Sequence, residues 1–455
     1  MGFILINIIY ESKKKKILII IKLYSSKLIY PKKKINPLET TLYYLIIFFP
    51  VFFFFRSFIL NLILITISVL FLTLSIQFKY NFLAKKYNIF LLIFFFYVIF
   101  LNLFFDPNNI SVIKSIFLLK FFFLFNSIIF VYSRVSKKFL EKNLIYLFIF
   151  IVIISLDLLK QYFTGFNFIG LKPYFCNSSI LDCQRYSGFF GPELVLGGYF
   201  STIIMSSFIL FKILKKNNLL NFFPLFILVM VFLSGERSAF LLTLVFSIIY
   251  YSFIINFNLK KILGIFFSIC ISILLINFSI KDSTKSRYYG DIINLIDSDQ
   301  PNFLEALKLT PWGLHYNASI SMIAEEPIFG NGFKSFRKNC KKYDTENIKE
   351  STEYRVCSTH PHNFHLEILV DAGLIGYSAF MIFLFYLFKD LKKNNVSNKL
   401  ILNIIIIIML TFIFLPRPTG SIFSTFFGTI YWFFIGSLFG YRKLITNTKK
   451  ILNHK

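Results

Sequence analysis

The sequence predicts an all-α membrane protein, a polytopic bundle of about 12 transmembrane helices with one large loop before the tenth span. Apolar runs of roughly 20 residues, the length that crosses a hydrocarbon core, recur along the chain. They lack the alternation of barrel strands, and inside lipid every backbone polar group must be satisfied within its own segment. The third observation is that clusters of Lys and Arg separate alternate runs. A multi-span helical bundle satisfies all three.

The apolar runs define the expected spans. Arg56 separates the first two runs and Pro224 interrupts the seventh, so these three patterns are the weakest. The spans are 38–55, 57–78, 88–105, 111–132, 144–163, 190–214, 219–233, 238–256, 262–280, 366–388, 400–415 and 420–440.

The net charge of +27 is distributed as a topology signal. Basic clusters such as Lys13–Lys16, Lys85/Lys86, Lys260/Lys261 and Lys392/Lys393 recur, while the intervening connections are poor in Lys. Cytoplasmic loops are enriched in Lys and Arg, so this pattern predicts an even number of spans with both termini in the cytoplasm. It argues against nucleic-acid binding, which would need the charge on one face.

The two ends of the chain lie outside the bundle in this interpretation. Residues 1–36 carry apolar pieces too short to span, broken by lysines, and are typical of an interfacial cytoplasmic segment or an over-extended start. No small-residue cleavage site follows, which argues against a signal peptide. Residues 37–163 form the N-terminal helices, and residues 441–455 form a basic cytoplasmic tail.

Two outside loops, 164–189 and 281–365, are long enough to fold. Long loops are usually functional or disordered, and the apolar anchors of the larger one favour a partly ordered cap; these are Trp312, Pro327, Phe329, Phe333 and Phe336. Each loop also holds two cysteines, Cys176 with Cys183 and Cys340 with Cys357. We expect pairing within each loop, although four cysteines allow three connectivities.

Three polar features stand out, and all map to the outside face: Arg185–Glu193, Ser234–Ser238, and His360–Glu367 running into Asp371–Gly376. A charge near membrane depth is costly and is a functional candidate by default. Arg237 lies in a very short connection, so it is either functional or an interfacial arginine that reaches the headgroups. Arg185 lies in a longer loop, where a solvated surface residue is the simpler interpretation.

The histidines His360, His362 and His365 allow three interpretations. They could ligate a metal, although no HExxH spacing occurs and no carboxylate partner is evident. Each could be a buried structural histidine. One could instead be a general base, since neutral imidazole titrates near working pH.

Two arginines and a histidine on one face suggest a transferase that acts on a lipid-linked phosphate. Arginine forks bind phosphate oxygens bidentately and stay charged, so they can stabilise a diphosphate leaving group without a metal. The histidine would accept a proton from the attacking hydroxyl.

These residues resemble the O-antigen ligase and O-antigen polymerase superfamily of bacterial envelope glycosyltransferases. His362-Asn363, followed by Gly373 and Gly376, is similar to the family's histidine motif at the end of its large periplasmic loop. Further similar stretches are the turn at Glu326–Gly332, with Glu326 in place of the usual Asn, Arg237 in Ser-Gly-Glu-Arg-Ser, Arg185 with Gly188 and Pro192, and Pro416–Ser421. The resemblance assigns 164–440 to a ligase-like domain.

The resemblance implies a metal-independent transfer, without a cofactor, at the periplasmic face of the inner membrane. The donor would be a glycan on undecaprenyl diphosphate, and the acceptor lipid A–core in a ligase or another glycan in a polymerase. His362 would be the base, and Arg185, Arg237 and more weakly Arg417 would bind the diphosphate. Asn363, Gly373 and Gly376 would support the motif. Membrane lipids are the other expected partners.

Ligase is favoured by the contiguous histidine–glycine motif, with polymerase as the alternative. A flippase or transporter for lipid-linked glycans is the alternative of another class. Transporters tend to show internal repeats and charges at the bilayer midplane. The sequence has no evident repeat and few mid-span ionisable residues, namely Lys120, Asp157, Glu193 and Asp371.

Overall fold

The computed structural model describes residues 36–55, 57–105, 109–176, 179–214, 218–254, 281–290, 310–343, 357–392 and 399–452. This part of the chain is a bundle of α-helices with a single two-stranded antiparallel sheet. The helices of eight or more residues are α1 Pro37–Ile47, α2 Ser57–Gln77, α3 Lys86–Phe105, α4 Asn109–Ile116, α5 Leu119–Arg134, α6 Lys137–Thr164, α7 Leu196–Leu214, α8 Phe223–Leu233, α9 Arg237–Ile254, α10 Pro311–Glu325, α11 Phe364–Lys392, α12 Lys399–Phe414 and α13 Thr425–Leu452. The strands are β1 Tyr174–Cys176 and β2 Cys183–Arg185.

The helical membrane class is confirmed. In the described residues, six helices are long and apolar enough to cross a membrane: α2, α3, the pair α4–α5 over Ser111–Arg134, α6, α7 and α11. Three apolar helices are shorter, namely α8 with its preceding turn, α9 and α12. The expected span 262–280 lies outside the described residues, so the number of 12 spans stays a prediction.

Several boundaries differ from the expected spans for local reasons. The first span is interrupted, because α1 ends at Ile47 and Pro50 lies in a separate turn, Phe49–Phe52. Pro lacks the N–H that would continue the helix. The sixth and twelfth spans begin later than expected, at Leu196 and Thr425, because the residues before them form the non-helical loops of the site described below.

Close helix packing positions the outer loops. Helix α13 packs along α5, and α11 packs along α3. Gly436 and Gly440 of α13 face Ile128 and Tyr132 of α5, where an added Cβ would lie 3.1 and 2.9 Å from those side chains. Small residues allow the close backbone approach that holds helices together in lipid.

The two long loops, 164–189 and 281–365, are folded against the bundle where they are described. The expected cysteine pairing is confirmed: Cys176 bonds Cys183 across the β1–β2 hairpin, and Cys340 bonds Cys357. The larger loop contributes α10, which packs on α11. Among its expected anchors, Phe333 and Phe336 are buried and Trp312 is half-buried, but Pro327 and Phe329 are exposed. These two lie in a turn that contacts α11 through backbone hydrogen bonds, such as that from the Leu374 N–H to the Pro327 carbonyl oxygen.

Candidate active site

Arg185 is the last residue of β2, and the hairpin fixes its position. Tyr174 and Arg185 are register partners, and the Cys176–Cys183 bond closes the next pair. One Nη of Arg185 donates to the carbonyl oxygen of Leu194 at 3.0 Å, while its buried Nε has no partner in the described part of the chain. The guanidinium is therefore held in place with donor capacity left over.

The turn Ser234–Glu236 is packed directly against this hairpin. The Tyr186 N–H donates to the Ser234 carbonyl oxygen at 3.1 Å. Gly235 has a φ of 75°, and a Cβ there would lie 2.0 Å from the carbonyl oxygen of Gln184. Only glycine allows this contact, and it brings Arg237, the first residue of α9, to the same wall as Arg185.

Glu236 fastens this turn to the N-terminus of α7. Its carboxylate accepts from the N–H groups of Gly197 at 2.8 Å and Gly198 at 3.2 Å, a position that the helix dipole favours. Burial raises the pKa of Glu236, and Arg185, these two N–H groups and Arg287 oppose that rise. Glu236 is therefore a counter-charge for the arginines around it, a role that sequence reasoning missed.

Arg287 was also missed. The segment 281–290 packs on the loop 164–189, where the Ser283 N–H donates to Asp182 Oδ1 at 2.9 Å. The Tyr288 hydroxyl donates to the Phe232 carbonyl oxygen at 3.0 Å, and Arg287 Nε donates to that of Gly235 at 3.4 Å. Its position among many Lys and Arg residues of the large loop provided no sequence signal.

The three expected histidines have different environments. In His365, Nε2 donates to the Ile413 carbonyl oxygen at 2.8 Å and Nδ1 accepts from the Tyr377 hydroxyl at 3.2 Å. In His360, Nε2 lies 3.3 Å from the Thr419 carbonyl oxygen and Nδ1 lies 2.9 Å from Thr359 Oγ1. His362 has only ring contacts, and neither of its ring nitrogens has a hydrogen-bond partner among the described residues.

The backbone around His362 is held by the loop that precedes α13. Thr419 donates its N–H to the His362 carbonyl oxygen at 2.6 Å, and its Oγ1 accepts from the Phe364 N–H at 3.0 Å. His362 has a φ of 57°, a conformation that costs a non-glycine residue about 1–3 kcal/mol and is concentrated at functional sites. Asn363 begins α11 by accepting from the N–H groups of His365 and Leu366 at 2.9 and 3.2 Å.

Aromatic rings surround the His362 imidazole. Trp312 lies edge-on at 4.8 Å between ring centroids, His315 is stacked at 5.3 Å and His360 lies at 4.2 Å. Burial, with the neighbouring His360 and His315, lowers the pKa of His362 to about 3. Its imidazole is neutral at neutral pH and can accept a proton.

Arg417 approaches from the Thr419 loop. Burial lowers its pKa to about 10, which leaves it charged at neutral pH. Its guanidinium lies 5.5 Å from the Phe412 ring centroid, and its buried Nε has no partner in the residues that the structure describes. The one hydrogen bond that it makes there is a long one of 3.4 Å to the adjacent Pro418 carbonyl oxygen.

Gly373 and Gly376 of α11 form the glycine motif, which supports the site without lining the cavity. Gly373 breaks the helical dihedrals within α11, and the turn at Glu326–Gly332 pairs with the break. Asn331 N–H donates to the Val370 carbonyl oxygen at 2.7 Å, and a Cβ on Gly330 would lie 2.4 Å from Gly373 N. Gly376 packs against Tyr97 of α3. Asn363, Gly373 and Gly376 thus shape the backbone without lining the cavity.

All four expected functional residues, Arg185, Arg237, His362 and Arg417, line one cavity of about 570 Å³. Arg287, Glu236, Glu193 and Trp312 share its wall. Four arginines against two carboxylates leave the described lining net positive, which suits an anionic ligand. No group of three or more His, Cys, Asp or Glu residues in the described ranges is arranged to hold a metal ion.

The comparison with known families agrees with this arrangement. Residues 222–381 match the family model described as O-antigen ligase, a range that includes Arg237, Arg287 and His362 but neither Arg185 nor Arg417. No curated protein matches the chain. The family comprises membrane glycosyltransferases of the ligase and polymerase type, and with the apolar helices it indicates a bacterial membrane protein. Through residues 222–381, the chain is therefore similar to the O-antigen ligase superfamily.

Proposed function

We propose that the chain is an O-antigen ligase, which transfers a glycan from undecaprenyl diphosphate to a hydroxyl of lipid A–core at the periplasmic face of the inner membrane. The observation that carries this proposal is the cavity itself. Its lining includes both the His362 imidazole, whose two nitrogens are unbonded among the described residues, and a group of four arginines, and the remaining two histidines of the motif are engaged by the protein.

In this reaction His362 accepts the proton of the acceptor hydroxyl, whose oxygen forms a bond to the anomeric carbon of the donor glycan. The bond from that carbon to the diphosphate oxygen breaks, and undecaprenyl diphosphate leaves with the electron pair. Negative charge develops on the leaving oxygen, and stabilising such charge is usually the largest catalytic contribution. The residues available to stabilise it are the four arginines that line the same cavity as His362, namely Arg185, Arg237, Arg287 and Arg417.

The low pKa of His362 belongs to the cavity without a bound anion. A base is most effective when its pKa lies near the working pH. A bound diphosphate would place negative charge in the cavity, and a nearby opposite charge favours the protonated imidazole. Donor binding would therefore raise the pKa of His362 towards neutrality and prepare it to accept the proton.

Purified full-length protein in nanodiscs, given an undecaprenyl-diphosphate glycan and lipid A–core with EDTA present, tests the proposal. We expect glycosylated lipid A–core, and its loss in His362→Ala with normal accumulation of the protein. Longer lipid-linked chains with lipid A–core untouched would instead make the protein a polymerase. Absence of both products would contradict a transferase and favour transport of the lipid-linked glycan. Activity only after EDTA is omitted would contradict metal-independent transfer.

A further inference from the structure

A second cavity, of about 270 Å³, lies away from the arginines and histidines of the first. It is a groove between α2, α4 and α5, lined by Ile65, Ser68, Val69, Leu72, Ile113, Ile116, Phe117, Lys120 and Phe123. Apart from Ser68 and Lys120 the lining is apolar, and five of the large apolar residues are exposed: Ile65, Val69, Ile113, Ile116 and Phe117. In a membrane protein such exposed residues face lipid.

One end of this groove carries a single ammonium group. Lys120 Nζ donates to Asn61 Oδ1 at 2.6 Å and to Thr425 Oγ1 at 3.3 Å. An ammonium has three N–H donors, so these two bonds orient Lys120 and leave one donor for a ligand. Asn61 lies one turn inside α2, so the charge is near the helix end, where a lipid headgroup would lie.

Further cations collect at the same end. Lys334 lies close enough to Lys120 for the two positive charges to repel each other, and Lys114 and Arg337 repel Lys334 in the same way. Lys114 and Arg337 are exposed and form no ion pair within the described residues.

Two carboxylates face this cation group, and both are buried; Asp371 accepts from the backbone N–H of Lys334 itself at 2.7 Å. The negative charges of Glu367 and Asp371 attract the Lys334 ammonium group. Glu367 accepts from the Ile422 N–H at 2.9 Å, and Asp371 accepts from the Ser335 N–H at 3.1 Å. Four cations against two buried carboxylates leave this end of the groove positive towards lipid.

The length of the groove fits one leaflet. Asn61, Ile65, Val69 and Leu72 follow one another at helical spacing on one face of α2. Eleven residues separate the first from the last, which is about 16 Å along a helix. Half of a hydrocarbon core is about 15 Å. An acyl chain that starts at Lys120 would therefore be covered over the depth of its own leaflet.

We infer that this groove is a binding site for an anionic phospholipid, with the phosphate at Lys120 and one acyl chain between α2 and α5. Thr425, which bonds Lys120, is the first residue of α13, whose early residues Phe427 and Ile430 line the larger cavity. A bound lipid would therefore be linked through Lys120 to the helix that supports the candidate active site, while its binding does not depend on the proposed transfer reaction.

Native mass spectrometry of the delipidated full-length protein tests the inference by titration with phosphatidylglycerol. We expect one tightly retained lipid in the wild type and about tenfold weaker retention in Lys120→Met, since a charge-assisted contact is lost. Lys142→Met removes an exposed lysine of α6 and should retain the lipid like the wild type. Equal retention by these two variants would overturn the inference.

A second pair of variants tests the tail of the site without changing charge. Val69→Trp should block the groove and weaken retention, whereas Ile93→Trp, on the exposed face of α3, should not. Retention of phosphatidylcholine as tight as that of phosphatidylglycerol would show that the anionic headgroup is not recognised. Unchanged retention in Val69→Trp would place the lipid elsewhere; either result overturns the assignment.

Discussion

The two sides of the larger cavity are held by different means. The arginine wall, formed by Arg185, Arg237 and Arg287, is built by a disulfide-closed hairpin, a glycine turn and the buried counter-charge of Glu236. The histidine wall, formed by His362 and Arg417, is fastened mainly by the Thr419 N–H, which donates to the His362 carbonyl oxygen, and by the Thr419 hydroxyl oxygen, which accepts from the Phe364 N–H. A buried charge therefore helps to hold the arginine wall, whereas backbone hydrogen bonds hold the histidine wall.

This difference indicates how each wall can fail. Removing a charge from the arginine wall changes the electrostatics of the cavity while the hairpin keeps its shape. Disturbing the backbone near the histidine wall moves His362 itself, because its αL conformation depends on the surrounding contacts.

The largest effect is expected on the transfer rate when His362 and His365 are substituted one at a time. His362→Gln should lower transfer by about 10²–10⁴-fold, the usual contribution of a general base, with unchanged thermal stability. His365→Gln should instead lower stability, because the bonds to Ile413 and Tyr377 are disturbed, and should retain most of the transfer rate. Transfer rates and melting curves in detergent measure both. The reverse pattern would show that His365 is the base.

Arg287 and Lys285 provide a matched pair on the arginine wall. Arg287→Gln should lower transfer by about 10²-fold, as for loss of one donor to developing charge. Lys285→Gln removes one charge from the same segment but lies outside the cavity lining, so its transfer rate should stay near that of the wild type. Arg237→Lys should also slow transfer, because a point charge does not replace a planar fork. Equal rates for Arg287→Gln and Lys285→Gln would remove Arg287 from the mechanism.

Two glycines with positive φ test the support behind His362. Gly330→Ala places a Cβ 2.4 Å from Gly373 N, whereas at Gly170 nothing lies within 4 Å of the added Cβ. Gly170→Ala should cost about 1–2 kcal/mol from backbone strain alone. Gly330→Ala should cost about 1–3 kcal/mol more, as overpacking does, and should reduce both accumulation and transfer. Similar unfolding midpoints for the two variants would show that the turn moves freely.

The last prediction concerns the acid stability of the histidine wall. Burial lowers the pKa of His360 to about 4 and that of His362 to about 3, against about 6.5 in an unfolded chain. The unfolded chain then binds more protons between pH 6.5 and 3, so stability is full above pH 6.5 and falls as the pH decreases through that range. The double variant His360→Gln/His362→Gln should show a shallower decrease. Identical pH profiles would contradict burial of the two neutral rings.

Much of the architecture follows directly from the amino-acid sequence. Apolar runs such as 57–78 and 88–105 are helices within a few residues, because a chain in lipid can satisfy its backbone only within itself. The motif residues His362, Arg185, Arg237 and Arg417 were chosen from the sequence, and the tertiary structure brings all four to one cavity. Their chemical roles remain proposals.

The tertiary structure alone decided which hydrogen-bond and charge partners each site residue has. The sequence singled out His362 only through the family resemblance. The tertiary structure adds a physical difference, because Ile413, Tyr377 and Thr419 bond the other two histidines and leave His362 unbonded among the described residues. Arg287 and Glu236 become part of the candidate site only because the segments 281–290 and 234–237 pack together beside the β hairpin. Hydrogen bonds and charge pairs between distant segments have no local sequence pattern. A lipid bilayer, in contrast, requires every spanning segment to be apolar and to satisfy its own backbone, and this requirement is visible in the local sequence.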